Sequence, residues 1–223
     1  MAKAAKSAET PITDDPAWAL PAYQARSREQ RDRLLKAGER AFAEHGFWQA
    51  PVADIARRAG CSVGSFYRRF QDKEALFFAL QAHMAQRSAE NITTFFADPA
   101  CDTDPLHVVF ARLAANSARS MGRIEGYFRA LFELSLRGQD VWPSMRQLEI
   151  FEADKINELL IRRGAALEPG FDERAQLAVR MMHGQIITQL LHGPGPFEID
   201  DPRLPQELGL LLLRYLGLEK AGA

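Results

Sequence analysis

VADIARRAGCSVGSFYRRFQDKEAL, residues 52–76, is the stretch that decides the fold. It divides into two short helices around a tight turn, followed by the start of a third. Ile55, Ala56 and Ala59 give the first helix its apolar side. Gly60 accepts the positive φ that ends a helix without a steric penalty. Ser62 offers a hydroxyl oxygen to the free amides that open the next helix. That next helix carries Ser65, Tyr67, Arg68 and Arg69. The pattern predicts a helix-turn-helix at about 52–71, a motif whose second helix lies in the major groove of DNA.

Helical periodicity assigns the faces of that second helix. At about 100° per residue, with Phe66 at the centre of the buried side, Phe70 and Ser62 each fall about 40° away. Gly64 and Arg68 then lie opposite, Ser65 and Tyr67 on the flanks, and Val63 at an intermediate angle. Val63, Gly64, Ser65 and Arg68 are therefore the expected base readers. Gly64 lets the backbone approach, and Arg68 presents a fork suited to guanine O6 and N7. Tyr67, Arg69 and Lys73 are the expected phosphate contacts.

Gly46-Phe47, Val52, Ile55-Ala56, Ala59 to Ser62, Gly64 to Tyr67, Phe70, Lys73-Glu74 and Leu76 together resemble the TetR family of bacterial regulators. The match is gap-free from about Arg31 to Leu80. The resemblance implies an all-helical homodimer that binds a palindromic operator and is released from it by a small ligand. It also implies that the helix beginning at Asp72 links a DNA-binding head to a ligand-binding body. The two C-terminal helices, about 172–192 and 204–218, would then form the interface with a second copy. Two positions depart from the family pattern. Ala50-Pro51 stands where a Ser or Thr commonly caps the first motif helix and touches a phosphate, although proline suits the start of a helix. Ala53 stands where a basic residue is frequent, and Arg57-Arg58 are the candidates to replace it.

Charge is distributed in the same sense. The whole chain has 28 basic and 29 acidic residues, a net charge of −1. From Arg26 to Lys73, however, eleven basic residues face six acidic ones, a surplus of five, which leaves −6 for the remainder. A basic head on an acidic body is the electrostatic footprint of a DNA-binding domain joined to one that does not bind DNA. At 223 residues, 47% hydrophobic and 26% charged, the chain has the composition of a soluble protein with ample core.

The expected architecture is all-α. Residues 1–26 form a disordered extension, 27–80 a three-helix DNA-binding domain, and 81–223 a larger helical domain for effector binding and dimerisation. Helices are predicted from about Ser27 to His45, Asp72 to Phe96, Pro105 to Met121, Ile124 to before Gly138, Trp142 to Arg163, Asp172 to His192 and Leu204 to Leu218. The last two are apolar over more than one face, which calls for burial within the chain or against a second copy. The body is rich in large side chains, most of which an ordinary core accounts for. Phe110, Tyr127, Phe128, Phe132, Trp142, Met145 and Phe151 are the candidates to line a cavity for an apolar or aromatic effector. Asn116, Arg119, Tyr127, Glu133 and His183 are the polar groups available to orient it.

Other functional classes find little support. The five histidines are scattered without metal-ligand spacing, and neither a phosphate-binding glycine loop nor a nucleophile elbow is present. No enzyme activity, metal or cofactor is expected. Cys61 reads as a small core residue of the turn and Cys101 as an exposed thiol in a polar loop. No apolar run is long enough to span a bilayer, and a cytoplasmic location is expected. The alternative function is a regulator or architectural DNA-binding protein without an effector.

Overall fold

The computed structural model describes residues 25–193 and 195–219. The expected disorder of residues 1–24 therefore lies outside the described residues, whereas Ala25 and Arg26, expected in the same extension, stand at the start of the first helix. Pro194, in the connection between the last two helices, also lies outside the described residues.

Ten helices, with no strand among the described residues, make up the fold. The head consists of α1 (Ala25–Gln49), α2 (Val52–Arg58) and α3 (Val63–Tyr67). α4 (Lys73–Phe96) runs out of it into the body. The body continues with α5 (Ala100–Thr103), α6 (Leu106–Gly122), α7 (Glu125–Ser135), α8 (Pro143–Arg162), α9 (Phe171–His192) and α10 (Arg203–Tyr215). Only the single-turn α5 is absent from the sequence reading. Cys101 sits in it fully buried, its Sγ donating to the Phe95 carbonyl at 3.2 Å. The expectation of an exposed thiol is corrected: Asp98-Pro99 start a helical turn that folds Cys101 under the body.

Local chemistry explains the helix boundaries. α1 is broken at Gly46, whose φ of 72° and ψ of 172° reverse the chain into the short 47–49 turn. α2 ends in a Schellman arrangement, with Gly60 N–H donating to Arg57 O and Cys61 N–H to Ala56 O, and with Gly60 at φ 68°. Asp72 caps α4 by accepting from Ala75 N at 2.7 Å. Pro51 occupies the N-cap of α2, one position earlier than a first-turn proline, and gives it no side-chain hydrogen bond.

One continuous apolar core joins head and body. In the head, Leu34, Phe42, Phe47, Ile55, Phe66, Phe70 and Phe77 are all buried to within 1% of complete. In the body, α10 packs along α6 so closely that a Cβ on Gly209 would lie 2.8 Å from Ala111 Cα. α8 packs on both α4 and α9, and α7 packs on α1. The last contact is the main joint between body and head. A Cβ at Gly126 of α7 would lie 2.6 Å from the Ala43 backbone nitrogen of α1. Across the same joint, Gly126 N–H donates to Glu39 at 3.2 Å and Trp48 N–H donates to Glu133 at 3.2 Å.

Candidate DNA interface and ligand cavity

The second helix of the motif is short but well fixed. Ser62 accepts from Ser65 N at 3.1 Å, and Phe66 and Phe70 are fully buried beneath it. After Tyr67 the turn continues through Arg69 N–H to Phe66 O and Phe70 N–H to Phe66 O. The outer side presents Val63, Gly64, Tyr67 and Arg68 to solvent, with Ser65 half-buried. Val63 is 40% and Tyr67 50% exposed. The Arg68 guanidinium folds onto Ser65 Oγ at 2.6 Å, and Ser65 Oγ is in turn 3.0 Å from Ser62 Oγ. The exposed surface thus combines Val63, Tyr67, a hydroxyl pair, a bare backbone at Gly64 and one arginine bonded, among the described residues, to an exchangeable hydroxyl.

The other two cations assigned to phosphate are held differently. Arg69 is only 8% exposed, because it falls about 60° from Phe66 and turns towards the core side. Lys73 Nζ donates to the carbonyls of Trp48 at 3.0 Å and Ala50 at 3.1 Å and lies 4.9 Å from the Phe47 ring centre. Burial pushes its ammonium below the usual lysine range, opposed by the nearby Glu133 charge. Lys73 therefore ties the start of α4 to the turn after α1. Of the two candidates to replace the missing contact at Ala53, Arg58 is engaged with both Glu44 oxygens and with Asp54. Arg57 pairs with Asp54 but leaves its side chain 73% exposed.

The body contains a narrow cavity of about 60 Å³ between α4, α6, α7, α8 and α9. Tyr127, Phe128 and Met145 line it, together with Asn116 and His183. The other four expected aromatics pack elsewhere. Phe110 is fully buried in the core of α6, whose backbone lies under Gly209, and Phe132 meets Trp142 edge-on with ring centres 5.2 Å apart. Phe151 lies beside Lys155 on α8. Glu133 faces Gly46 of the head instead.

Tyr127 and His183 were expected among the polar groups of the cavity, but their partners Gln81 and Glu152 escaped the sequence reading. Gln81 donates to Val141 O at 2.7 Å and to Tyr127 Oη at 3.2 Å. Burial pushes the Tyr127 phenol up to about 12, although Gln81 acts in the opposite sense. Glu152 and His183, 1% and 4% exposed, form a pair with Oε2 and Nε2 3.0 Å apart. Glu152 Oε1 and His183 Nδ1 are buried and, among the described residues, have no hydrogen-bond partner. Burial alone would lower the His183 pKa, but the fields of Glu152 and Glu149 together outweigh it, and the net direction is up. A signal was available. Gln81 follows Phe77 by four residues, Glu152 precedes Ile156 by four, and His183 follows Val179 by four, so each stands on its helix's buried stripe.

A three-helix head with an exposed motif helix, joined to a helical body with a narrow pocket, defines a helix-turn-helix protein. Residues 34–80 match the family of bacterial regulatory proteins, tetR family. The head is therefore of the TetR type. It is 40% identical over 63 residues to the HTH-type transcriptional repressor AcnR of Corynebacterium efficiens, covering 28% of this chain and 34% of that one. It is 48% identical over 52 residues to the transcriptional regulator YdgC of Bacillus subtilis, covering 23% and 27%. The chain thus matches only about a third of the length of these relatives. A solved structure of a TetR-like transcriptional regulator from Rhodococcus sp. RHA1 superposes with a TM-score of 0.59 at 18% identity, over 84% of this chain and 96% of the other. That likeness extends the shared fold through the body. Among the described residues no helix is long and apolar enough to cross a membrane.

Proposed function

We propose that this protein is a dimeric transcriptional repressor of the cytoplasm, which holds a palindromic operator and leaves it when a small apolar or aromatic effector enters the body. Residues 27–80 act as the DNA-binding head and 81–223 as the sensing and dimerising body. The single observation that carries the reading is the exposed surface of α3, where Gly64 and Arg68 stand outward over a buried Phe66–Phe70 base. Val63 and Ser65 flank them as further base contacts, with Tyr67 as a phosphate contact. Arg69 and Lys73 serve chiefly to hold the motif in place, and any phosphate contact they make is secondary.

Dimerisation is supported by the outer sides of the last two helices. Leu177 and Met181 of α9 and Leu211 and Tyr215 of α10 are each 37–47% exposed, one helical turn apart within each helix. A twofold pair built on these faces gives each half of an inverted repeat its own reading helix.

The coupling runs through α4 and α7. Gln81 and Met84 on α4 and Tyr127 on α7 line the cavity, while the start of α4 and Gly126 of α7 are bonded to the head. An effector that spreads these helices shifts the heads off register. A coupling of about 1–3 kcal/mol weakens operator binding about 5–150-fold. Sites selected from random duplexes and footprinted are expected to be inverted repeats. Arg68→Ala should relax base preference within each half-site, whereas Tyr67→Phe should weaken all sites alike. Protection of single, asymmetric sites, or an unchanged preference in Arg68→Ala, would overturn the assignment.

A further inference from the structure

A second hollow, about 450 Å³, lies at the junction of head and body between α1, α4 and the α6–α7 turn. Lys36 and Arg40 of α1, Arg87 of α4 and Arg123 of the turn line it, against two carboxylates, Asp32 and Glu39. Glu39 is already committed to Gly126 N–H. Among the described residues none of the four cations has an ion-pair partner, whereas Arg58, Arg112, Arg129, Arg162, Arg180 and Arg203 all do. His83, half-buried in the same cleft, is pushed below the ordinary imidazole range by burial first and then by Arg87, with Arg31 and Lys36 adding and Asp32 opposing. Four cations against two carboxylates leave the cleft a net positive field among the described residues.

DNA does not account for all of this charge. Arg87 lies fourteen residues beyond Lys73 on α4, roughly 21 Å further from the DNA-facing end. Arg123 belongs to the body. The cleft has a different neighbour: Met84, Ser88, Asn91, Ser120 and Ile124 line both it and the interior cavity. The two hollows share a wall, and on the cavity side that wall continues into Met121, Phe128 and Leu148. A cationic cleft adjoining a narrower, mainly apolar hollow, whose polar groups include Gln81, Asn116 and the Glu152–His183 pair, suits a molecule with an anionic head and an apolar body.

We propose that cleft and cavity together form the site of an amphiphilic anion. Its carboxylate or phosphate head sits among Lys36, Arg40, Arg87 and Arg123, and its apolar part passes Met84 and Ile124 into the cavity. The head would bridge α1 to α4 and the α6–α7 turn and so fix the angle between head and body. As a binding site this stands on its own geometry. As the effector site it rests on the repressor reading above.

The test uses the full-length protein and four probes below their micellar concentrations: decanoate, decyl phosphate, decan-1-ol and decyltrimethylammonium. Calorimetry is expected to show binding of one or both anions, with the alcohol at least about tenfold weaker and the cation undetected. Preference between decanoate and decyl phosphate identifies the head group. Arg87→Gln combined with Arg123→Gln should weaken the anion about tenfold without changing operator affinity in its absence, and Met84→Trp should weaken it by blocking the passage inward. Equal binding of alcohol and anion, binding of the cation alone, or binding of inorganic phosphate as tight as decyl phosphate would each overturn the proposal. So would a loss of operator affinity in the ligand-free double variant, which would assign the cleft to DNA. If the anion binds as described but leaves operator affinity unchanged, the site stands and the ligand-release part of the repressor reading fails.

Discussion

Gly126→Ala tests the joint between body and head directly. The added Cβ would stand 2.6 Å from Ala43 N and closer still to the Glu39 carbonyl oxygen. Ordinary contact needs about 3.5 Å, so α7 must retreat from α1 by about 1 Å. Both obstructing groups are backbone within a helix, which a rotamer change cannot clear. Overpacking of this kind costs about 1–3 kcal/mol, and a backbone clash belongs at the upper end. Helix propensity returns up to about 1 kcal/mol when glycine becomes alanine. The net loss is about 2 kcal/mol, which for a chain of this size lowers Tm by about 4–8 °C. Scanning calorimetry would measure it, with Gly122→Ala as the control. At Gly122 the nearest atom to a new Cβ is Leu190 Cδ2 at 4.0 Å, so that substitution should be neutral or slightly stabilising. Because the retreat opens the joint through which the proposed coupling runs, Gly126→Ala should also reduce the effect of ligand on operator affinity. An unchanged Tm would show that α7 and α1 are not in the contact described.

Two further outcomes follow from the body. His183 has a folded-state pKa raised above its unfolded value of about 6.5. The His183–Glu152 pair therefore contributes fully below about pH 6.5, and that contribution is lost as pH rises through the raised folded value. Glu152→Gln should destabilise by about 3 kcal/mol at pH 6 and flatten this part of the stability profile, as followed by urea denaturation; parallel wild-type and variant profiles between pH 6 and 9 would show that the pair carries no charge. Leu177→Glu with Leu211→Glu should convert a dimer to a monomer in sedimentation while leaving the fold intact, since both side chains are exposed in the single chain; an unchanged sedimentation coefficient would place the interface elsewhere.

The helices were legible because their ends are written in local chemistry. Ser62, Asp72 and Gly60 act where the residue types predict, and proline or glycine marks most of the remaining boundaries. The faces of α3 followed from Phe66 and Phe70 alone. What could not be read is how helices distant in sequence meet. Lys73 looks like a phosphate arm until the fold brings the Trp48 and Ala50 carbonyls to it. Phe132 and Trp142 look like pocket aromatics until they find each other. The polar residues of the cavity were visible as interruptions in apolar stripes, but their partners lie 31 to 60 positions away. Periodicity tells which side of a helix is inward; it does not tell what the inward side will meet.

The eleven residues of α7 have one more consequence. Tyr127 and Phe128 touch the cavity, and their neighbours Gly126 and Glu133 touch the head. Such a segment is a poor place for evolution to experiment: a substitution that reshapes the cavity here also disturbs the grip on α1. Asn116 of α6 and Leu148 of α8 line the same cavity from helices that make no comparable contact with the head. If the body senses ligands as proposed, variants selected for new ones should therefore accumulate on α6 and α8, with α7 retained as the fixed link to the head.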